Sequence, residues 1–357
     1  QLGQQALTLL NMLNKSLLSI QSIDIDFIKV PDSTRRPLLV SVPGTYDVGV
    51  ELVTIEKVEH ILKPIPSAKR PKKMRILGSN GKFYKYLLKG GEDLRLDQNI
   101  MQLFSLINSI LHSSKTHFNV TIQNYPVSPI TPTVGLISWA EGGKTFYSMI
   151  QWYRELKQSP SQPESDVYKE FMPVGKELTL RMTIPQKLEL YRALVAASPD
   201  TDIRETIWLN SRSTDQWLAQ TTTFARSNAL MSVIGHLFGI GDRHPSNILV
   251  LRKSCMVVHI DFSDSFEKAA FRPFFHETVP FRLTRMMLKA LGPSGVHGVF
   301  TETAESVMSL LRKNQSTLMA FLDIFVQDPI IDAEWYKPFV PEENQNRTQL
   351  MQYANER

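Results

Sequence analysis

The stretch 239–262, GIGDRHPSNILVLRKSCMVVHIDF, constrains this chain more than any other. Its polar residues crowd the two ends. Asp242 and Asn247 sit five residues apart, and the apolar run Ile248-Leu249-Val250-Leu251 follows. Arg252-Lys253-Ser254 then supplies a turn, and Met256-Val257-Val258-His259-Ile260 leads into Asp261. Short apolar, β-branched runs bounded by turn residues read as the two strands of a hairpin. The expected order is therefore loop, hairpin, loop, with a carboxylate and a carboxamide before the hairpin and a second carboxylate after it. A helix cap at Asp242 and a chance strand end at Asp261 explain each residue singly, but not all three in one register.

Phosphoryl transfer from ATP needs such a set. One carboxylate orients the attacking hydroxyl, while an amide oxygen and a second carboxylate hold Mg²⁺ on the phosphates. Protein kinases space their catalytic Asp and Asn identically and place the metal-binding Asp after a hairpin. Here their H-R-D order is reversed, as Asp242-Arg243-His244.

The chain of 357 residues is long enough for two cores or one large α/β domain. Net charge is +5, much of it in Lys69-Arg70-Pro71-Lys72-Lys73-Met74-Arg75, a run that reads first as a solvated connecting strand. Cys255 is the only cysteine, so neither an intrachain disulfide nor a cysteine-rich zinc site is available, which fits a reducing cytoplasmic or nuclear setting. No apolar run approaches the length of a membrane-spanning helix, and no secretory signal is legible. Nothing points to direct nucleic-acid binding.

Residues 6–20 carry an apolar stripe at helical spacing, and Pro31 to Pro37 marks a linker. From Leu38 the texture is β: strands are expected over 38–42 and 50–58, then two joined at Gly78-Ser79-Asn80-Gly81. That turn is either an ordinary hairpin or a lid over phosphates, with Ser79 as a contact. Lys89 ends the second of those strands; it is either a surface lysine or a phosphate contact oriented by Glu92 or Asp97, the latter opening a helix to about Ile110. Further strands around Tyr125–Val127 and 135–139 run into a connector at 140–143. Ile137 and Trp139, beside that Gly-rich connector, can form an adenine slot, with a buried core tryptophan an equal alternative. Beyond lie helices over 146–156, 184–197, 214–238, 285–291, 303–312 and 316–326, a polar loop at 158–165, an activation loop over 263–277 and a polar tail from Lys337.

Seven motifs in order, VPGTYD (42–47), LGSNGK (77–82), LLKGGEDLRLD (87–97), GLISW (135–139), GIGDRHPSN (239–247), HIDF (259–262) and VPFRLTR (279–285), resemble the phosphatidylinositol 3-kinase-related protein kinases. Within that family the V-P-G-T-Y segment resembles the target-of-rapamycin branch. R-P-K-K and G-V-H-G-V-F (295–300) resemble the nonsense-mediated-decay branch, and DNA-damage branches stay open. The resemblance implies an α+β, bilobal protein-kinase-like (PI3/PI4-kinase) fold, with a small β-rich N-lobe over 37–141 and a larger, mostly helical C-lobe over 142–336. Residues 1–36 would close a rapamycin-binding-like helical segment, and 337–357 would be a tail. It implies ATP and Mg²⁺ (or Mn²⁺) as cofactors, protein substrates in growth and nutrient signalling, and regulatory subunits of a large kinase complex. It also implies a cytoplasmic site, with the nucleus or endomembrane surfaces reached through partners.

Carried over by residue, Lys89 contacts phosphate with Glu92 and Asp97 positioning it, and Trp139 and the Ala140 backbone meet adenine. Leu249 and Ile260 floor the adenine, Asp242 orients the hydroxyl, His244 stabilises the moving phosphoryl group, and Asn247 and Asp261 hold the metal. Ser263 replaces the family's D-F-G glycine, Leu96, Gln98 and Asn99 replace polar or charged residues, and the family's aromatic-rich C-terminal segment is missing, as in a fragment of a larger protein or a divergent member. Two alternatives remain. A phosphoinositide kinase would cluster Lys and Arg in the activation loop, but 263–278 holds only Lys268 and Arg272 against Asp264, Glu267 and Glu277. A pseudokinase scaffold would lose one of Lys89, Asp242, Asn247 and Asp261, and all four are present.

Overall fold

The computed structural model describes residues 22–24, 40–67, 69–114, 120–171, 182–266 and 279–327. The helix expected over 6–20, the tail from Lys337 and most of the expected activation loop lie outside them. The described residues form two compact units. One holds those up to Ser105 together with Asn124–Ala140, and the other holds Leu106–Gln123 and those from Glu141 on. The first is β-rich and the second mostly helical, as the bilobal α+β expectation requires.

In the first unit, β1 (Ile23–Asp24), β2 (Ile55–Val58), β3 (Ile61–Pro64), β4 (Lys72–Gly78), β5 (Phe83–Gly90), β6 (Val127–Thr131) and β7 (Val134–Ser138) form one sheet. Its order is β1-β3-β4-β5-β7-β6, with β2 also paired to β4. Every pairing is antiparallel. Alternation puts Ile76 and Tyr86 in a core with Val42 and Leu136. The Tyr86 hydroxyl donates to the Pro43 carbonyl at 2.8 Å. Burial, and secondarily Tyr84, push that phenol up to about 12, so it stays a neutral donor. The V-P-G-T segment that it anchors needs glycine: Gly44 sits at φ +77°, and a Cβ there would meet Pro126 at 2.3 Å. Strand β3 was not legible, because Pro64 and the basic run beyond it obscure a four-residue strand.

Helix α1 (Arg95–Ser113) starts two residues before the expected Asp97. Its opening is set by Asp93, whose carboxylate accepts from the Arg95 N–H at 3.0 Å. Ile100, Leu103, Phe104 and Ile107 are buried at three- and four-residue spacing, which is why the helix reads clearly in sequence.

The second unit contains β8 (Gly143–Thr145), α2 (Phe146–Leu156), α3 (Pro163–Phe171), α4 (Ile184–Ala197), α5 (Asp202–Asn210) and α6 (Thr214–Leu237). Then come β9 (Ile248–Leu251), β10 (Val257–His259), α7 (Arg285–Ala290), α8 (Val299–Lys313) and α9 (Gln315–Gln327). The three strands form an antiparallel sheet in the order β10-β9-β8. Two expectations need correcting. Gly143 belongs to β8 and not to the connector, and the polar loop over 158–165 gives way at Pro163 to α3, where proline suits the first helical position.

Helix α6 is the platform of this unit. At 24 residues it spans about 36 Å. Phe224, Ala229, Leu230 and Ile234 are fully buried, and the helix is enclosed on all sides from Ser227 to Gly235. Ser227 Oγ donates to the Thr223 carbonyl at 2.7 Å and accepts the Val257 N–H at 2.9 Å, and Gln220 donates to the Lys253 carbonyl at 3.0 Å. Those two side chains dock the β9–β10 hairpin onto the helix. Ile248, Val250 and Val257 then join Phe146, Phe224, Ile203 and Met287 in the core.

Arg154, almost wholly buried, stitches α2 to α3 and α5. It donates to Asp202 at 2.8 Å and to both Glu164 oxygens at 2.9 and 2.6 Å, and Ser198 donates to Glu164 at 2.6 Å. Burial raises Asp202, the deeper carboxylate, despite the guanidinium. Burial also works against ionised Glu164, but the Arg154 and Ser198 hydrogen bonds outweigh it and bring that group from 4.5 to about 2. A depressed carboxylate stabilises the fold above its unfolded value, and that contribution is lost as pH falls from 4.5 towards about 2. Thermal melts should therefore show Tm falling across this window, and Glu164→Gln should lower Tm at pH 7 while reducing the acid-side slope. An unchanged slope in the variant would rule out this role for Glu164.

Candidate active site

After α6 the chain turns at Gly239, held at φ +52°, and Ile240 N–H returns to the Gly235 carbonyl at 2.8 Å. The loop then brings Asp242 and Asn247 up to the hairpin, and Asp261 follows β10. Asp242 and Asp261 both adopt left-handed backbone, at φ +58° and +63°, a region that Asp tolerates better than most residues but still at a cost. Arg243 holds these two loops together. Its buried guanidinium donates to the Gly241 carbonyl at 2.6 Å, to the Ile260 carbonyl at 2.9 Å and to the Asp261 carbonyl. It also lies 5.4 Å from the centre of the Phe262 ring. Arg243 has no role among the expectations from sequence, since all three of these partners are backbone carbonyls.

Asn247 ties into both sides. Its Nδ2 donates to the Asp242 carbonyl at 3.0 Å, and its own carbonyl accepts the Ile260 N–H at 3.0 Å. With the nitrogen so committed, the amide oxygen is the end suited to a cation. A carboxamide oxygen beside a carboxylate is the hard-oxygen set that Mg²⁺ takes when phosphates and water complete its shell. Among the described residues no three His, Cys, Asp or Glu side chains gather into a metal site; Asn247 and Asp261, on the two loops joined by Arg243, are oxygen donors of the kind that Mg²⁺ takes.

His244 is exposed, and its Nδ1 accepts the Ser246 N–H at 3.1 Å. In the neutral ring this leaves the proton on Nε2, a donor available to an anion. His259 is buried, and burial, then Arg243, hold it well below its ordinary range and hence neutral. Leu249 lies on the hairpin face opposite Ile248 and Val250 and is half-buried, as is Ile260. Ser263 lies outside the set of left-handed residues, so this backbone has no need of the family's glycine there.

In the first unit, Lys89 is buried at the end of β5 and pairs with Glu92. Glu92 also pairs with Lys69, from the β3–β4 connection. Asp97 is buried in the first turn of α1. The β4–β5 register sets Lys72 against Leu88 and Leu77 against Phe83. Ser79 therefore lies at the far end of β5, about 20 Å from Lys89 at strand rise, where it exchanges two hydrogen bonds with Thr54. The sheet does not bring Ser79 to Lys89; it brings Lys69, from the run read as a solvated connector. Ile137, Trp139 and Ala140 are half-buried along β7 and just beyond it. The Trp139 N–H donates to the Lys85 carbonyl at 2.9 Å, and Lys73 Nζ lies 4.4 Å above its ring, a cation–π contact that the sequence did not reveal.

The phosphatidylinositol 3- and 4-kinase family pattern matches residues 83–335. The serine/threonine-protein kinase mTor of Drosophila melanogaster is 40% identical over 322 residues, covering 90% of this chain and 13% of that protein. TOR2 of Saccharomyces cerevisiae is 40% identical over 348 residues, covering 96% and 14%. The SMG1 kinase of Danio rerio is 31% identical over 320 residues, covering 82% and 9%. This chain thus spans only about an eighth of the length of the first two relatives. A structure of the FAT and kinase domain of CtTel1 superimposes with TM-score 0.73 over 90% of the chain and 22% of its own length, at 24% identity, and so speaks to the fold. The chain belongs to the phosphatidylinositol 3- and 4-kinase family.

Proposed function

We propose that this chain is the catalytic region of a serine/threonine protein kinase of the target-of-rapamycin kind, moving the ATP γ-phosphate to protein hydroxyls. The observation that carries the reading is the Arg243 clamp, which fixes Asp242 and the Asp261 loop in one frame with Asn247 between them. In this reading Asp242 accepts the substrate proton as the hydroxyl oxygen bonds to phosphorus and the bond to the β-phosphate oxygen breaks. His244 Nε2–H stabilises charge on the moving group, and Asn247 and Asp261 hold Mg²⁺ or Mn²⁺. The metal, when bound, supplies charge neutralisation on the phosphates. Lys89, oriented by Glu92, meets phosphate; the β3–β4 connection bearing Lys69, and not the Ser79 turn, covers it. Trp139, Ile137, Ala140, Leu249 and Ile260 take adenine, and Asp97 steadies the first turn of α1.

The likeness to two serine/threonine-protein kinases at 40% identity and the acidic balance of 263–278 favour protein over phosphoinositide substrates. In this reading the substrates are protein Ser and Thr side chains, and regulatory subunits of a large kinase complex would be the partners. No helix among the described residues is long and apolar enough to cross a membrane.

Purified protein should transfer label from ATP to a Ser/Thr protein substrate with Mg²⁺, and not to phosphatidylinositol vesicles offered in parallel. Asp242→Ala and Asp261→Ala should each reduce transfer by about a thousandfold or more. Label on lipid alone, or full activity in either variant, would refute the assignment. Glu92→Gln should raise the KM for ATP several-fold with a smaller change in kcat, because the Lys89 ammonium loses the Glu92 carboxylate; an unchanged KM would remove Glu92 from nucleotide binding.

A further inference from the structure

A cavity of about 620 Å³ opens inside the second unit beside the catalytic loop, within the size range of ligand pockets. Asp242 and His244 line it together with Asn228, Met231, Phe281 and Arg282. Asn228 does not belong there for packing reasons. It sits on the enclosed half of α6, between apolar Phe224 and Met231, and is only 1% exposed. Its Nδ2 is buried and makes no hydrogen bond. A buried carboxamide donor without an acceptor is costly, and an apolar residue would serve the helix better, so the group points to an acceptor that enters the cavity.

We propose that Asn228 is a substrate-recognition residue, donating its carboxamide N–H to a side-chain oxygen on the residue beside the phosphoacceptor. The inference rests on the protein-kinase reading above, which places the acceptor hydroxyl against Asp242 in this same cavity. Met231 and Phe281 give that neighbouring residue an apolar wall, and Asn228 reads its polar tip. Discrimination then comes from both sides: an apolar isostere leaves the donor unsatisfied, and a polar residue repays it.

The test uses full-length protein and serine peptides in which each position flanking the acceptor is either asparagine or its near-isostere leucine. Wild type should prefer asparagine at one position by about five- to tenfold in kcat/KM. Asn228→Ala should erase that preference through the peptide KM, with kcat and the KM for ATP nearly constant, and Asn228→Gln should restore part of it. Asn228→Leu, close in size, replaces the alanine variant if that one fails to fold. A preference that survives loss of the carboxamide, or an effect confined to Tm or to the KM for ATP, would overturn the inference and leave Asn228 a site for bound water. If wild type labels none of the peptides and no protein, the protein-kinase reading fails, and this inference with it.

Discussion

The guanidinium of Arg243 is the contact on which the catalytic stretch depends. It is buried, it reaches three carbonyls on two loops, and it lies beside the Phe262 ring. A charged hydrogen bond contributes about 1.5–3 kcal/mol, so three of them can offset two left-handed aspartates at about 1–3 kcal/mol each. The strain falls on Asp242 and Asp261, the two carboxylates whose direction matters. Asn247 completes the frame through the Asp242 and Ile260 backbones.

That frame needs a rigid base, which α6 supplies. Its Ser227 and Gln220 side chains bond the hairpin backbone, so the strand that precedes Asp261 and the helix that precedes Asp242 move as one. The same enclosure makes the unpartnered Asn228 informative, since a polar side chain on such a helix has no packing reason to be there. In the first unit a different device operates: Glu92 holds two lysines from separate segments, so the cation offered by Lys89 is set by local chain geometry as well as by α1.

Much of this was legible because it is periodic or tightly spaced. Helices α1, α2, α6 and α8 bury one stripe or a whole surface, and their apolar spacing marks them, whereas α4 is legible from its apolar content although it buries only Leu190; the β9–β10 hairpin is fixed by its turn residues and its flanking Asp and Asn. The rest is carried by contacts between segments distant in sequence. Strand β8 is three residues held by β9, α3 opens on a proline, and α5 has no strong apolar stripe, so none shows a local signal. Ser79 was placed near phosphate on the strength of its glycines, whereas the strand register puts the β3–β4 connection and Lys69 at the Lys89 end. Arg243 reads in sequence as one more basic residue, because its partners are backbone carbonyls that no side-chain pattern announces.

Arg243 positions the loop bearing Asp261 relative to Asp242, and Mg²⁺-dependent ATP binding reports on that positioning. ATP affinity would be measured with and without Mg²⁺ for wild type and Arg243→Met, at a temperature well below both Tm values. Mg²⁺ should tighten ATP in wild type, and most of this enhancement should be lost in the folded variant while metal-free affinity changes little. An equal Mg²⁺ enhancement in both proteins would contradict this role of Arg243, because the Asp261 loop would then hold its place without the guanidinium.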